Sequence, residues 1–138
     1  VIILDTCVLL ESIKPAPEPR VMSWIESLPE HRVYLAAITI GELEKGVRLL
    51  DPGAKAQALR IWLEQLLDRF QGRILPFDAK AATVWGRLSA QLQQSGGPAP
   101  VADCMLAALA GRHGALLATP NTADLSRCGV DLVNPWEG

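Results

Sequence analysis

Short, mainly apolar runs alternate along this chain with longer stretches in which apolar residues return every three to four positions. The short runs are Ile2–Leu4, "VYLA" (33–36), "RILPF" (73–77), "ALLAT" (115–119) and "DLV" (131–133), and each predicts a strand. The longer stretches predict helices. After a Pro-rich connector, "KPAPEP", Val21, Trp24, Ile25 and Leu28 recur at helical spacing. "ITIGELEKGVRLL" (38–50) predicts a helix entered at Thr39. Asp51 and Pro52 form a cap and first turn for the next helix, whose face carries Leu59, Trp62, Leu63, Leu66 and Phe70. Asp78 caps another, faced by Ala81, Trp85, Leu88 and Leu92. "QQSGGPAP" (93–100) is a loop leading into a helix from about Val101 to His113.

Strands that alternate with helices call for an α/β fold. The expected architecture is three layers, α/β/α, around a central, mostly parallel sheet of four or five strands. No repeat, linker or low-complexity segment divides the chain, so residues 1–138 read as a single domain ending in the tail "NPWEG". Trp62 and Trp85 fall in apolar helical registers, which assigns them to the core or a subunit interface rather than to base stacking.

Composition changes this picture little. The net charge is −2, so no basic surface announces nucleic acid, although bound cations can supply positive charge that side chains lack. Cys7, Cys104 and Cys128 are odd in number and irregularly spaced. That argues against a disulfide framework or a zinc site and for a reducing, cytoplasmic setting. No run approaches ~18 apolar residues, and the start lacks a basic segment with an apolar core, so neither a membrane span nor a signal peptide is expected.

The candidate chemistry lies at strand ends. Open parallel sheets bind ligands beyond the carboxyl ends of their strands. Asp5 ends the first strand, Glu42 lies in the helix after the second, Asp103 opens the helix after the Gly/Pro loop, and Asn121 and Asp124 follow the fourth strand. Acids gathered at one edge repel unless a cation or proton compensates, and oxygen donors without His or Cys favour Mg²⁺ or Mn²⁺. Each acid also has a purely structural reading. Asp5 can cap a short helix, Thr39 and Glu42 match a T-x-x-E capping box, and Asp103 and Asp124 suit helix first turns.

"ILDTCVLLE", "ITIGELEKGV", "PVADCMLAA" and "LLATPNTADL" together resemble the four motifs of PIN-domain ribonucleases, in order and across nearly the whole chain. "RILPFD" and "NPWEG" are similar to segments of the FitB-like branch of VapC-type toxins. The resemblance implies metal-dependent hydrolysis of RNA, leaving 5′-phosphate and 3′-hydroxyl ends. Asp5, Glu42 and Asp103 match the characteristic acidic positions. In the fourth motif Thr119, Asn121 and Asp124 match loosely, with Pro120 in place of a common Arg. By this resemblance Asp5 and Asp103 hold a Mg²⁺ ion, with Mn²⁺ as the alternative. Glu42 completes the shell or orients water, and Asp124 substitutes for or supports a fourth ligand at the Asn121 position. A second ion would lie about 3.5–4 Å away. Thr6 and Thr119 are the residues expected to orient carboxylates, Thr6 bracing Asp5. Cys7 stands where the family usually has Asn or Ser. A thiol bonds poorly, so Cys7 either loosens the site or is simply buried. Lys14, Lys45, Arg48 and Arg112 are candidates for contacting the RNA backbone, or are solvated surface charges.

The resemblance further implies a small antitoxin partner and a homodimer formed through helical faces. DNA contact would come only through the antitoxin, because the chain shows no DNA-reading motif. Other chemistries fit less well. A phosphatase loop C-x5-R fails because Ile13 stands six residues after Cys7. A receiver-type site lacks its Lys, and a dehalogenase-type D-x-D is interrupted by Cys7. The alternative that survives is a non-catalytic PIN-like module acting through a partner.

Overall fold

The five strands β1 (Ile2–Leu4), β2 (Val33–Ala36), β3 (Ile74–Leu75), β4 (Leu116–Ala118) and β5 (Asp131–Val133) form one sheet in the order β3-β2-β1-β4-β5. Every neighbouring pair is parallel, so the sheet is wholly rather than mostly parallel. The computed structural model describes residues 1–137, and Gly138, the last residue of the "NPWEG" tail, lies outside the described residues. Among the described residues seven α-helices accompany the strands: α1 (Thr6–Glu11), α2 (Pro19–Glu26), α3 (Ala37–Arg48), α4 (Ala54–Arg69), α5 (Ala79–Gln94), α6 (Val101–His113) and α7 (Thr122–Leu125). Among the described residues no helix is long and apolar enough to cross a membrane.

The central strands β1 and β4 are wholly apolar because both faces of the sheet are covered there, whereas the edge strand β5 opens on the exposed Asp131. Successive side chains alternate between the faces. Ile2 and Leu4 join Val8, Val21, Leu43, Leu63 and Phe70 in a core under α1–α4. Ile3 turns the other way, into a core with Ala81, Leu92, Leu106, Leu109 and Leu125 from α5–α7. These two cores make the three layers. Trp62 and Trp85 are half-buried against one core each, as their registers predict.

The order also locates the functional edge. From β1 the chain works outward through β2 to β3, then returns to lay β4 on the other side of β1. Beyond the carboxyl ends of β1 and β4 the connections diverge and leave a crevice, the usual ligand position in such sheets.

Two expected helix starts are corrected. Strand β2 passes directly into α3, which begins at Ala37 with Ala36 at its cap position and no side-chain cap. Thr39 therefore lies inside the first turn, fully buried, with a hydroxyl that has no hydrogen-bond partner. The Thr39–Glu42 capping box does not form. Likewise α4 starts at Ala54 behind Gly53, and Asp51 makes no cap. Asp78 does cap α5, accepting from the Ala81 amide at 2.9 Å. Strand β3 ends at Leu75 because Pro76 has no N–H for the ladder.

A buried carboxylate that the sequence did not single out ties the connector after α1. Glu11 is 5 % exposed. It accepts from Lys14 Nζ at 2.9 Å and from the Glu18 amide at 2.9 Å. Arg20 then donates to the Trp136 carbonyl at 3.0 Å, bringing the chain end onto α2. The Lys14 contact, followed by the Glu18 amide, holds the Glu11 carboxyl below the ordinary carboxylate range. A lowered folded-state pKa gives stability that is present above the unfolded value of about 4.3 and is lost as pH falls through the folded one. Glu11→Gln is thus expected to lower Tm at pH 7, with the deficit shrinking below about pH 4. Thermal unfolding across pH checks this, and a deficit constant with pH would contradict it.

Candidate active site

Asp5 emerges from β1 into the crevice only 5 % exposed. A buried carboxylate is costly unless hydrogen-bonded, and Asp5 is bonded on both sides. Oδ2 accepts from the Thr119 hydroxyl at 2.6 Å, a short charge-assisted bond across to the end of β4. Oδ1 accepts from the Cys7 amide at 3.4 Å, which makes Asp5 the N-cap of α1. The cap reading of Asp5 therefore holds, and the same carboxylate also reaches across to the end of β4. Its backbone is fixed as well, with the Asp5 amide donating to the Ala118 carbonyl at 2.9 Å.

Thr119 is the hub. It is fully buried, and its amide donates to the Val133 carbonyl at 2.9 Å. Its hydroxyl accepts from the Asn121 amide at 3.1 Å while donating to Asp5. Three strand ends are thereby locked around one carboxylate. Thr6 does not brace Asp5 as expected. Its hydroxyl donates to Glu42 Oε1 at 3.0 Å, because as the first residue of α1 it faces α3. Glu42 itself is exposed and is steadied by that bond rather than by Thr39.

Asp103, half-buried in the first turn of α6, accepts from Asn121 Nδ2 at 3.4 Å. Burial, and then the charges of Asp5, Glu42 and Asp124, push its carboxyl above the usual range, while the Asn121 contact pulls it down. Four acids from β1, α3, α6 and α7 thus share one field. Asp124 is exposed in the first turn of α7 and acts on Asp103 through its charge. Asn121, at the carboxyl edge of β4, donates to an acid rather than adding one.

Cys7 is exposed at the mouth of this cluster and not buried. Even so, desolvation and then Asp5, Asp103 and Glu42 push its thiol up, so it remains protonated and uncharged at neutral pH. The basic candidates are dispersed. Lys14 serves Glu11, Arg48 pairs with Glu44 at 2.8 Å, and Lys45 is exposed on α3. Arg112 faces Asp78 at 3.9 Å, nine residues and roughly 13 Å along α6 from Asp103.

The donors are all hard oxygens, and their mutual repulsion is what a divalent cation would relieve. The fit is one of chemistry and charge. Among the described residues no three His, Cys, Asp or Glu side chains stand close enough to form a ready-made metal cage.

The chain is similar to known proteins over nearly its whole length. The family model described as the PIN domain matches residues 2–129. "Toxin FitB" of Neisseria gonorrhoeae (strain ATCC 700825 / FA 1090) is 40% identical over 136 residues, covering 98% of each chain. "VapC ribonuclease Y4jK" of Sinorhizobium fredii is 37% identical over 137 residues, covering 99% of this chain and 98% of its own. The solved "Structure of FitAB bound to IR36 DNA fragment" superposes with a TM-score of 0.95 at 38% identity, covering 100% of this chain and 97% of that one.

A raised carboxyl stabilises the fold below its unfolded pKa of about 3.9 and loses that contribution as pH rises through the folded value. Ionised Asp103 therefore works against the metal-free fold at neutral pH. Asp103→Asn is expected to stabilise the metal-free fold at pH 7 by a small, solvent-screened amount, under about 1 kcal/mol, seen as a slightly higher Tm in chelator, and the gap should close towards pH 4. Thermal melts of the metal-free proteins test this, and a fall in Tm at pH 7 would contradict it.

Proposed function

The chain belongs to the PIN-domain family, and on that premise we propose that it is a metal-dependent endoribonuclease serving as the toxin of a type II toxin–antitoxin pair. The observation that carries the reading is the buried, doubly bonded Asp5 facing Asp103, which has a raised carboxyl, and the charges of Glu42 and Asp124. An acidic cleft on a chain of net charge −2 repels a phosphodiester, so it can act on one only with cations present.

Asp5 and Asp103 would hold the ion, with Glu42 and Asp124 able to complete its shell. Bound there, Mg²⁺ or Mn²⁺ would acidify water and offset charge building on the phosphoryl oxygens. The protein's own part is positional. Thr119 fixes Asp5, Thr6 keeps Glu42 on the cleft side of α3, and Asn121 leaves Asp103 one oxygen less encumbered than the other. A Glu42 carboxylate not engaged with the ion can accept a proton from the attacking water. RNA is the proposed substrate, in keeping with the ribonuclease name of the Sinorhizobium relative.

The proposed partners are a small antitoxin that silences the cleft and a second copy of the chain. DNA would be reached only through the antitoxin, and the setting is the cytoplasm, where three free thiols stay reduced. One feature favours a second reading, a PIN-like module that binds without cutting: Asn121 puts an amide where a further acid could stand.

The two readings separate in a cleavage assay with purified protein and RNA. Cutting should require Mg²⁺ or Mn²⁺ and stop with EDTA. Asp5→Asn and Asp103→Asn should each lose on the order of 10²–10³ in rate with unchanged circular dichroism. Full activity in Asp5→Asn would place the chemistry elsewhere, and no metal-dependent cutting at all would favour the binding module.

A further inference from the structure

We propose that Arg127 is a positioning residue for the Asp103 side of the site, acting through the loop that precedes α6. This rests on the nuclease reading above. The loop, residues 95–100, has little to hold it. Pro98 and Pro100 offer no N–H. Gly96 and Gly97 adopt φ +139 and +105, conformations that favour glycine. The Ser95 and Gly97 amides turn back to the Leu92 carbonyl at 3.3 and 2.9 Å, which finishes α5 but anchors nothing further on. Ala99 packs against the α5–α7 core, but beside it lies a hollow of about 230 Å³ lined by Trp85, Ser89, Pro98, Ala99 and Cys104, so packing holds the loop only in part.

Among the described residues one hydrogen bond joins this loop to an element other than the helices it connects. Arg127 Nη2 donates to the Gly97 carbonyl at 2.9 Å. One terminal nitrogen of the guanidinium closes on the bare face of Gly96, where an added Cβ would stand 2.8 Å from Nη1. Arg127 sits in the short 3-10 turn Ser126–Cys128, one turn beyond Asp124. It therefore clamps the segment bearing Asp124 to the loop that launches Asp103. Leu125 of α7 packs into the same core as α6, and the other hydrogen bond between these segments, Asn121 to Asp103 at 3.4 Å, is long for an N–H···O bond. Without the clamp, the start of α6 and the Asp103 carboxylate have room to drift over the hollow.

An exposed hydrogen bond contributes little to global stability, so the test reads local order and cation binding. Full-length wild type, Arg127→Ala and Arg127→Lys would be compared by amide hydrogen exchange over residues 95–103 and by Mn²⁺ titration followed by electron paramagnetic resonance. Arg127→Ala should exchange faster in that segment at nearly unchanged Tm and bind Mn²⁺ about tenfold more weakly, the lower range for loss of an outer-shell partner. Arg127→Lys, which keeps a donor of similar reach, should restore most of both. Unchanged exchange or unchanged Mn²⁺ affinity in Arg127→Ala overturns the proposal. So does a raised KM for RNA with both of those intact, since that pattern marks a phosphate contact. A wild-type chain that takes up no Mn²⁺ overturns the nuclease reading and this proposal together, whereas normal wild-type uptake matched by Arg127→Ala overturns the proposal alone.

Discussion

The hydrogen bond from Thr119 to Asp5 carries the organisation of this molecule. Thr119 and Asp5 sit at the ends of adjacent parallel strands, on either side of the crevice where the sheet's connections part. Burying a carboxylate there without a donor would cost several kcal/mol, and losing the Thr119 hydroxyl would forfeit about 1–3 kcal/mol of that compensation. The bond is possible only because β1 and β4 pair in the register Leu4 to Ala118, which brings the next residue of each strand side by side. Sheet register, buried polarity and candidate chemistry are thus one constraint seen three ways.

The site works against the fold that holds it. Asp103 is desolvated and faces three further acids, with one long amide contact in relief. Such a cluster is tolerated because the two apolar cores stabilise the sheet from both faces. Stability given up at a site of this kind is a common cost of function. Positional control comes from side chains and loops rather than from the sheet alone. Thr6 ties α1 to α3, Asn121 ties the β4 edge to α6, and Arg127 ties the turn after α7 to the loop before α6.

Most of the fold was legible in the sequence because its signals are local. Apolar runs bounded by polar residues marked all five strands, and the Gly/Pro loop marked the start of α6. The helix starts that misled did so where tertiary context overrode a local motif. T-x-x-E reads as a capping box, but β2 runs straight into α3 and carries Thr39 inward, leaving Glu42 to a partner 36 residues away. The acids were legible from their shared place at strand ends. Their supports were not, since nothing in the spacing of Thr6 or Arg127 reveals which carboxylate or carbonyl each one meets. Those pairings exist only once the sheet order is known.

Asp5 and Asp103 are proposed to bind a divalent cation together at the edge between β1 and β4. The most direct measurement is anomalous diffraction from crystals of the protein soaked in Mn²⁺. The account predicts a peak bonded to carboxylate oxygens of both Asp5 and Asp103, and its loss in Asp5→Asn crystals. A peak elsewhere on the surface, or none at these carboxylates in an accessible site, would contradict it.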